Sequence, residues 1–296
     1  MKNFDAFFDV VKSKSRKNLV IAAAEDDQVL LSVKDAVANE IITPIFVGNK
    51  EKIETICSEI HFKVADYEII NERNPANAAK KAVQIVREGR ADILMKGHVQ
   101  TADFLRAILS RETGLRKSEL LSHVGFFELP SYHKVLALTD AAQNIAPDFD
   151  DKIAILTNAV DMFHHLGIEN PKVAILAAVE NVSPKMQATM DAAALSMMNQ
   201  RGQIKGCIID GPLAFDNAIS KVAAEHKGII SNVAGDADLL VAPDINSGNI
   251  LYKSFTFIGQ GTVAAVVLGA TVPIVLTSRS DSDRSKLSSI ALAACY

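Results

Sequence analysis

The chain has 296 residues, of which 49% are hydrophobic, and its formal net charge is −4. This length suits two domains of ordinary size or one large α/β domain, and the apolar content excludes a mainly disordered chain. The slightly acidic balance argues against a general nucleic-acid-binding protein, which needs clustered basic charge.

Short apolar runs alternate with amphipathic stretches along the whole chain. The runs predict strands at NLVIAAA, TPIFVG, ADILMKG, SHVGFFEL, KVLALTD, KVAILAAV, GCIIDGP, DLLVAPD and PIVLTS. The stretches DDQVLLSVKDAVANE, NPANAAKKAVQIVREG, FDDKIAILTNAVDMFHHLG and SPKMQATMDAAALSMMNQRG predict helices. In the second of these, Asn74 is a candidate N-cap, Pro75 stands in the first turn and Gly89 follows the end. This alternation predicts βα units and a largely parallel sheet.

The amino-terminal stretch and the cysteines indicate where in the cell the protein is expected. MKNFDAFFDVVKSKSRK mixes acids with apolar residues, which is not typical of a signal peptide, and no apolar run reaches the length of a membrane span. The three cysteines are far apart and match no metal-binding spacing. We therefore expect a cytoplasmic protein without a membrane partner.

Polar residues that directly follow the apolar runs are the candidate site residues, because ligands of parallel α/β sheets bind beyond the carboxyl ends of the strands. They are Lys96-Gly97-His98, Thr139-Asp140, Asp210-Gly211-Pro212, Pro243-Asp244 and Ser278-Arg279.

The motif TSRSDSDRSKL joins the last predicted strand to the last predicted helix. Ser280 or Ser282 can cap that helix, and aspartates are favourable in its first turn, so capping alone accounts for most of the motif. It does not account for Arg279, which together with free backbone N–H groups would bind a phosphate. Ser278 could then donate a hydrogen bond to a reacting oxygen while a carboxylate acts as general base.

Two further segments carry candidate ligand contacts. Lys96, His98, Thr101 and Arg106 form a basic segment that could bind a nucleotide or coenzyme A, with Thr101 also a candidate helix cap; the alternative is a solvated helix face. Asp140, Asn144 and Asp244 could touch a ligand or could be turn and cap residues only.

Motifs of other enzyme classes are weak or missing. GQGTVA matches G-x-G-x-x-A, but the preceding segment reads as a helix and few residues follow, which disfavours a dinucleotide site. The sequence has no H-E-x-x-H zinc motif, no G-x-S-x-G elbow and no P-loop. We expect no metal site.

Several longer motifs, in this order, resemble the phosphate acetyl/butyryltransferase family: LMKGHVQTADFLRAIL, ALTDAAQNIAPD, AAVENVSPKMQATMDAAALS, RGQIKGCIIDGPLAFDNAIS, VAGDADLLVAPDINSGNILYKS and PIVLTSRSDSDRSKLSSIALA. The resemblance runs from about Ala91 to the C-terminus. The residues of the motifs DGPLAFDNAIS and SRSDS favour the butyryl branch of the family.

The resemblance implies an α/β, two-domain fold like that of isocitrate and isopropylmalate dehydrogenases, with mainly parallel sheets and an interdomain cleft. Residues 1–138 plus 271–296 would form the first domain and residues 139–270 the second. The implied enzyme is a homo-oligomeric acyltransferase whose partners are small-molecule substrates: acyl-CoA, phosphate and acyl phosphate. It would need no bound cofactor, no metal and no nucleic acid.

The resemblance also implies roles for individual residues. Ser278 would stabilise the reacting carbonyl oxygen, Arg279 and Arg106 would bind phosphate, and Asp281 or Asp283 would be the base. The acetyl branch has an acid about two helical turns beyond the serine, where this sequence has Ser285, so the choice of base stays open. Lys96, His98, Thr101, Asp140, Asn144 and Asp244 would contact the acyl-CoA.

Three alternatives remain at this stage. A phosphate acetyltransferase would differ only in the acyl pocket. A metal- and NAD-dependent hydroxyacid dehydrogenase on the same fold would need a carboxylate cluster for its metal. A non-catalytic sensor of acyl phosphate or coenzyme A would bind without turnover.

Overall fold

The computed structural model describes residues 1–276 and 281–296, in which strands and helices alternate. The strands are β1 (Lys17–Ala22), β2 (Ile42–Gly48), β3 (Glu68–Asn71), β4 (Ile93–Lys96), β5 (Ser122–Glu128), β6 (Leu136–Thr139), β7 (Lys172–Leu176), β8 (Ile208–Leu213), β9 (Leu239–Val241), β10 (Thr262–Leu268) and β11 (Ile274–Val275). The helices are α1 (Asp5–Lys12), α2 (Asp27–Ala38), α3 (Lys50–Glu59), α4 (Pro75–Arg87), α5 (Thr101–Ile108), α6 (Phe149–His165), α7 (Gln187–Gln200), α8 (Phe215–Ile219), α9 (Lys221–His226), α10 (Ile245–Lys253) and α11 (Asp283–Ala294). A short 3₁₀ turn, Val64–Asp66, precedes β3, and a π-helical turn, Ser254–Ile258, continues α10.

Every apolar run named above contains a strand, and the four predicted helices form, with α4 showing its predicted cap. The side chain of Asn74 accepts a hydrogen bond from the backbone N–H of Asn77, and α4 begins at Pro75. Gly89 follows the helix with φ +71°, a left-handed conformation that an L side chain adopts only with strain. Two strands were not predicted: β3 is short and not fully buried, and β10 lies within the glycine-containing segment that resembled a nucleotide-binding motif.

The chain divides into two compact units. The first unit consists of Asp5–Glu119 and Ala264–Tyr296, and the second of Met1–Phe4 and Leu120–Val263.

In the first unit the strand order is β3-β2-β1-β4-β11-β10. Neighbours are parallel except β10 and β11. The register places Ala22 of β1 opposite Lys96 of β4, and Val275 of β11 opposite Met95. Helix α11 packs on α1 and α2, and α4 packs on β1 and β2. The carboxyl ends of β1, β4 and β11 therefore share one edge of this sheet.

In the second unit the strand order is β5-β6-β9-β7-β8. Only β5 and β6 are antiparallel among the pairs described here. Helix α6 packs on β5 and β6, where the rings of Phe126 and Phe163 lie 5.1 Å apart between centroids. Helix α7 packs on β7 and β8, and α10 packs on β6. These layers confirm the mixed α/β architecture with mainly parallel strands.

The units differ in their bounds from the predicted domains. They divide at 119/120 and 263/264, whereas the prediction placed the boundaries at 138/139 and 270/271. Strands β5 and β6 pair with each other and β6 pairs with β9, so both group with the residues that follow them. The first residues group there too, because Val135 N–H donates to the carbonyl of Met1. The domain division and the cleft stay predictions.

Within residues 1–276 and 281–296, none of the helices combines the length and apolar character that crossing a bilayer requires.

Candidate functional site

The loop between β4 and α5 is fastened to the end of β1 in the first unit. Lys96, the last residue of β4, is half-buried, and its Nζ donates to the carbonyl of Gly97 at 3.2 Å. The N–H of Gly97 donates to Ala22 O and that of His98 to Ala23 O. A Cβ at Gly97 would lie 2.2 Å from Ala23 O, so only glycine allows this close approach. The sequence placed Lys96 and His98 correctly at a strand end.

Helix α5 corrects one prediction. Its N-cap is Gln100, which has extended backbone angles, and Thr101 is the first helical residue rather than the cap. The Gln100 side chain makes no capping hydrogen bond. Arg106 lies further along α5, is 74% exposed and pairs with Asp103 one turn earlier. The four basic-segment residues thus follow one another along one loop and one helix, and their predicted contacts with acyl-CoA and phosphate stay predictions.

The carboxyl end of β11 leaves the sheet at the same edge as Lys96, because β11 and β4 are parallel. Ser278 and Arg279 lie outside the described residues, which stop at Leu276 and resume at Asp281.

Helix α11 then begins at Asp283, with Ser282 as its N-cap. The Ser282 Oγ accepts a hydrogen bond from Ser285 N–H at 3.2 Å, which confirms Ser282 as a cap, while Ser280 lies outside the described residues. Asp281 is half-buried and Asp283 is exposed in the first turn. Both carboxylates lie close in sequence to the predicted serine and arginine, and the structure does not choose between them as base.

A buried lysine at this edge was not predicted. Lys286 is 2% exposed, and its Nζ donates to Gln28 Oε1 at 3.1 Å and to the carbonyl of Asp281 at 2.7 Å. Lys286 precedes the buried Ile290 by one helical turn, but serines share that face of α11, so the sequence alone does not mark the lysine as buried. A lone lysine in such a pattern is easily taken for a surface residue.

In the second unit, Asp140 directly follows β6 and is 4% exposed. One carboxylate oxygen accepts the N–H groups of Ala142 and Gln143 at 2.8 and 3.0 Å, and the other accepts Asn144 Nδ2 at 2.6 Å. Asn144 Nδ2 also donates to Leu121 O at 2.9 Å. These bonds support the turn-forming alternative for both residues, and a direct contact with acyl-CoA stays a prediction.

His123 of β5 was also not predicted. It is buried, and its ring lies 5.6 Å from that of Tyr252 between centroids. Burial lowers its pKa, and the nearby negative charge of Asp140 opposes this shift without reversing it. The imidazole is therefore neutral at neutral pH, and among the described residues its Nδ1 has no hydrogen-bond partner.

Asp244 and Asp210 were both predicted as acids at strand ends before helices. Asp244 is the N-cap of α10, and its carboxylate accepts the N–H groups of Asn246 and Ser247. Asp210 instead lies inside β8, where it accepts the N–H of Gly211, because pairing with β7 continues to Leu213. The predicted position of Asp210 is therefore wrong.

The geometry disfavours a dinucleotide site. The two glycines of the G-x-G-x-x-A segment lie between the helical stretch ending at Ile258 and β10, which begins within the segment at Thr262. This order is the reverse of the strand–turn–helix order of a dinucleotide site. In the part of the chain that the structure describes, His, Cys, Asp and Glu form no cluster of three or more that could hold a metal ion.

Comparisons with known proteins agree with the motifs. The model of the family described as phosphate acetyl/butaryl transferase matches residues 50–294. A phosphate butyryltransferase from Clostridium acetobutylicum is 48% identical over 99% of this chain and 98% of its own length. A phosphate acetyltransferase from Thermotoga maritima is 42% identical over 97% of both chains. The crystal structure of a branched-chain phosphotransacylase from Enterococcus faecalis superposes with a TM-score of 0.81 and 34% identity, covering 95% of this chain and 99% of that one. Matches of this identity and coverage show that the chain belongs to the phosphate acetyl/butaryl transferase family.

Proposed function

We propose that the protein transfers a short-chain acyl group reversibly between coenzyme A and inorganic phosphate, with butyryl or a branched short chain as the acyl group. The observation that carries this proposal is the 48% identity to a phosphate butyryltransferase over 99% of the chain. The structural similarity to a branched-chain phosphotransacylase supports the branched alternative.

Phosphate acetyltransferase is the second candidate, because a relative of that name is 42% identical over 97% of the chain. The two activities differ in the volume available to the acyl chain. One methylene group is worth only about 1–3 kcal/mol of discrimination, so the preference has to be measured.

The proposed mechanism is direct attack within a ternary complex. Arg279 and Arg106 bind the phosphate, and Lys96, His98, Thr101, Asp140, Asn144 and Asp244 contribute to binding of the acyl-CoA. Ser278 donates a hydrogen bond to the carbonyl oxygen as negative charge develops on it in the tetrahedral state. In the direction of acyl-CoA synthesis, Asp281 or Asp283 removes the proton of the coenzyme A thiol, whose pKa of about 8.5 is that of an ordinary thiol.

The state of the cysteines supports a mechanism without an acyl-enzyme. Burial raises the pKa of the Cys57 and Cys207 thiols to about 11 and that of Cys295 to about 12. Since the thiolate is the nucleophilic form, these thiols are poor nucleophiles at neutral pH. Holding acyl-CoA and phosphate together supplies several kcal/mol of the barrier reduction without a covalent intermediate.

The test is phosphate-dependent release of free thiol from butyryl-CoA, isobutyryl-CoA and acetyl-CoA. We expect release to be fastest with the four-carbon chains and to be largely lost in Ser278→Ala, while Ser13→Ala, an exposed serine in the same unit, keeps wild-type rates. Asp281→Asn and Asp283→Asn identify the base, which is the one whose loss lowers kcat while the KM for acyl-CoA is kept. Fastest release from acetyl-CoA would establish the second candidate, and no release from any acyl-CoA would refute the proposal.

Location and assembly belong to the proposal as well. We infer a cytoplasmic homo-oligomer, and light scattering of the purified protein measures the number of subunits.

A further inference from the structure

Lys286 is a buried cation held by neutral groups. Its side chain is 2% exposed, and its two hydrogen-bond acceptors are the amide oxygen of Gln28 and the main-chain carbonyl of Asp281. Among the described residues, no carboxylate lies within ion-pair distance of its Nζ, and residues 277–280 have the sequence TSRS, which contains no acid. In the part of the chain that the structure describes, this ammonium is therefore buried without a carboxylate at ion-pair distance.

A second buried lysine shows what the ordinary arrangement is. Lys152 of α6 has a side chain that is 9% exposed, and its Nζ meets Asp191 of α7 at 2.6 Å. Burial of a charge costs several kcal/mol, and a close counter-ion offsets much of that cost. Lys286 bears the same cost of burial, but its two neutral acceptors offset less of that cost than a carboxylate would. Departures of this kind are expected where function rather than stability selects the residue.

The two acceptors of Lys286 belong to different elements that start at the same sheet edge. Gln28 is the second residue of α2, which follows β1, and Asp281 directly precedes Ser282, the N-cap of α11. Gln28 and Lys286 are separated by 258 residues in sequence. The ammonium thus joins the start of α2 to the backbone that directly follows Ser280.

We propose that Lys286 is a positioning residue for acyl transfer. Its ammonium fixes the backbone of Asp281, one of the two candidate bases, relative to the start of α2. This inference rests on the proposed function, because it assigns Lys286 to the support of the residues that carry the proposed chemistry. A lysine is suited to this task, since one Nζ donates to two acceptors from different elements at the same time.

The test compares Lys286→Met with Ser289→Ala in the same thiol-release assay. Methionine keeps the apolar stem without the charge, and replacement of a buried charge by an apolar group of similar shape is often tolerated in stability. We expect kcat to fall by tenfold to a hundredfold, since a shift of about 1 Å in a reacting group costs about a hundredfold in rate. The KM for butyryl-CoA should stay within about threefold of wild type, a change of less than 1 kcal/mol.

Ser289→Ala is the matched control on α11. Its Oγ accepts the N–H of Ala265 at 3.0 Å and donates to the carbonyl of Ser285 at 2.8 Å, so it does not share the two acceptors of Lys286. This variant should lower the melting temperature without lowering kcat. Gln28→Glu keeps an acceptor for Lys286 and adds a counter-charge, so a positioning role predicts that kcat is retained.

Hydrogen exchange separates this inference from the function on which it rests. In Lys286→Met the amides at the start of α11 should exchange faster, whereas Ser289→Ala should leave them unchanged. Wild-type kcat in Lys286→Met, or unchanged exchange at these amides, would overturn the inference even if wild-type turnover establishes the function. Loss of kcat in Gln28→Glu would also overturn it, because the charge itself would then act on the reactants. If Lys286→Met does not fold, Gln28→Leu removes one acceptor and tests the same link. An inactive wild-type enzyme would refute the proposed function and the role of Lys286 together.

Discussion

The Asp140 carboxylate is buried and accepts three hydrogen bonds, and Asp140→Asn perturbs it at constant shape. The carboxylate accepts two backbone N–H groups and the Nδ2 of Asn144 while only 4% exposed. In the variant one amide oxygen still accepts the two N–H groups. The new NH₂ group, however, faces the NH₂ group of Asn144, so two donors meet where a donor met an acceptor.

The expected loss of stability follows from these bonds. A hydrogen bond to a charged group contributes about 1.5–3 kcal/mol and a neutral one about 0.5–1.5 kcal/mol, so the two backbone bonds together weaken by about 2 kcal/mol. The lost bond to Asn144 was also made to the charged carboxylate and adds about 1.5 kcal/mol, at the low end of that range because Asn144 keeps its bond to Leu121 O. We expect the free energy of unfolding to fall by about 3–4 kcal/mol. The KM for acyl-CoA should rise, because the 140–144 turn belongs to the proposed acyl-CoA site.

Chemical denaturation followed by circular dichroism measures this loss, and thiol release measures KM. The matched control is Glu169→Gln, an exposed acid in the same unit whose change should stay within about 0.5 kcal/mol. A fall of less than about 1 kcal/mol in Asp140→Asn would refute the account, because three bonds to a buried carboxylate should contribute more than that.

Three other predictions concern stability. Gly248→Ala should lower the free energy of unfolding by about 1–3 kcal/mol in denaturation, because its Cβ would lie 2.3 Å from Asp140 O and force the backbones apart. Lys152→Met should lower it by about 3–5 kcal/mol by leaving Asp191 buried and unpaired, and the double variant with Asp191→Leu should regain most of this. Asp236 should make the stability depend on pH. Burial by itself would raise the pKa of its carboxyl, but hydrogen bonds from Lys172, His133 and Lys134 hold that pKa well below the usual range. The contribution of the Asp236 carboxylate to stability is therefore fully present above its pKa in the unfolded state, about 3.9, and is lost as the pH falls through its lower pKa in the folded state. In Asp236→Asn the melting temperature should therefore change less between pH 5 and pH 2 than it does in the wild type.

Each of these predictions has a contrary outcome. Wild-type stability in Gly248→Ala would mean that α10 can move away from Asp140 at no cost. A double variant at Lys152 and Asp191 no more stable than Lys152→Met would mean that the loss comes from packing and not from an unpaired charge. If the melting temperature of Asp236→Asn falls with decreasing pH as steeply as that of the wild type, other carboxylates are responsible for the loss of stability in acid.

Local chemistry made much of the secondary structure predictable. Asn74, Pro75 and Gly89 mark the start and end of α4 because capping and left-handed backbone depend on residues only a few positions apart. Where local signals compete, the predicted ends of helices and strands were displaced by a few residues. Gln100 and not Thr101 precedes α5, and Asp210 lies within β8 because pairing with β7 carries the strand further.

The sequence alone determined the alternation of strands and helices, the positions of Lys96, Asp140 and Asp244 at or just beyond strand ends, and the family through its motifs. These follow from periodicity and from short-range order, which are properties of neighbouring residues. Only the tertiary structure decided that Lys286 and His123 are buried and what surrounds them. The partners Gln28 and Tyr252 are distant in sequence, and the burial of a polar side chain depends on which elements the fold places around it.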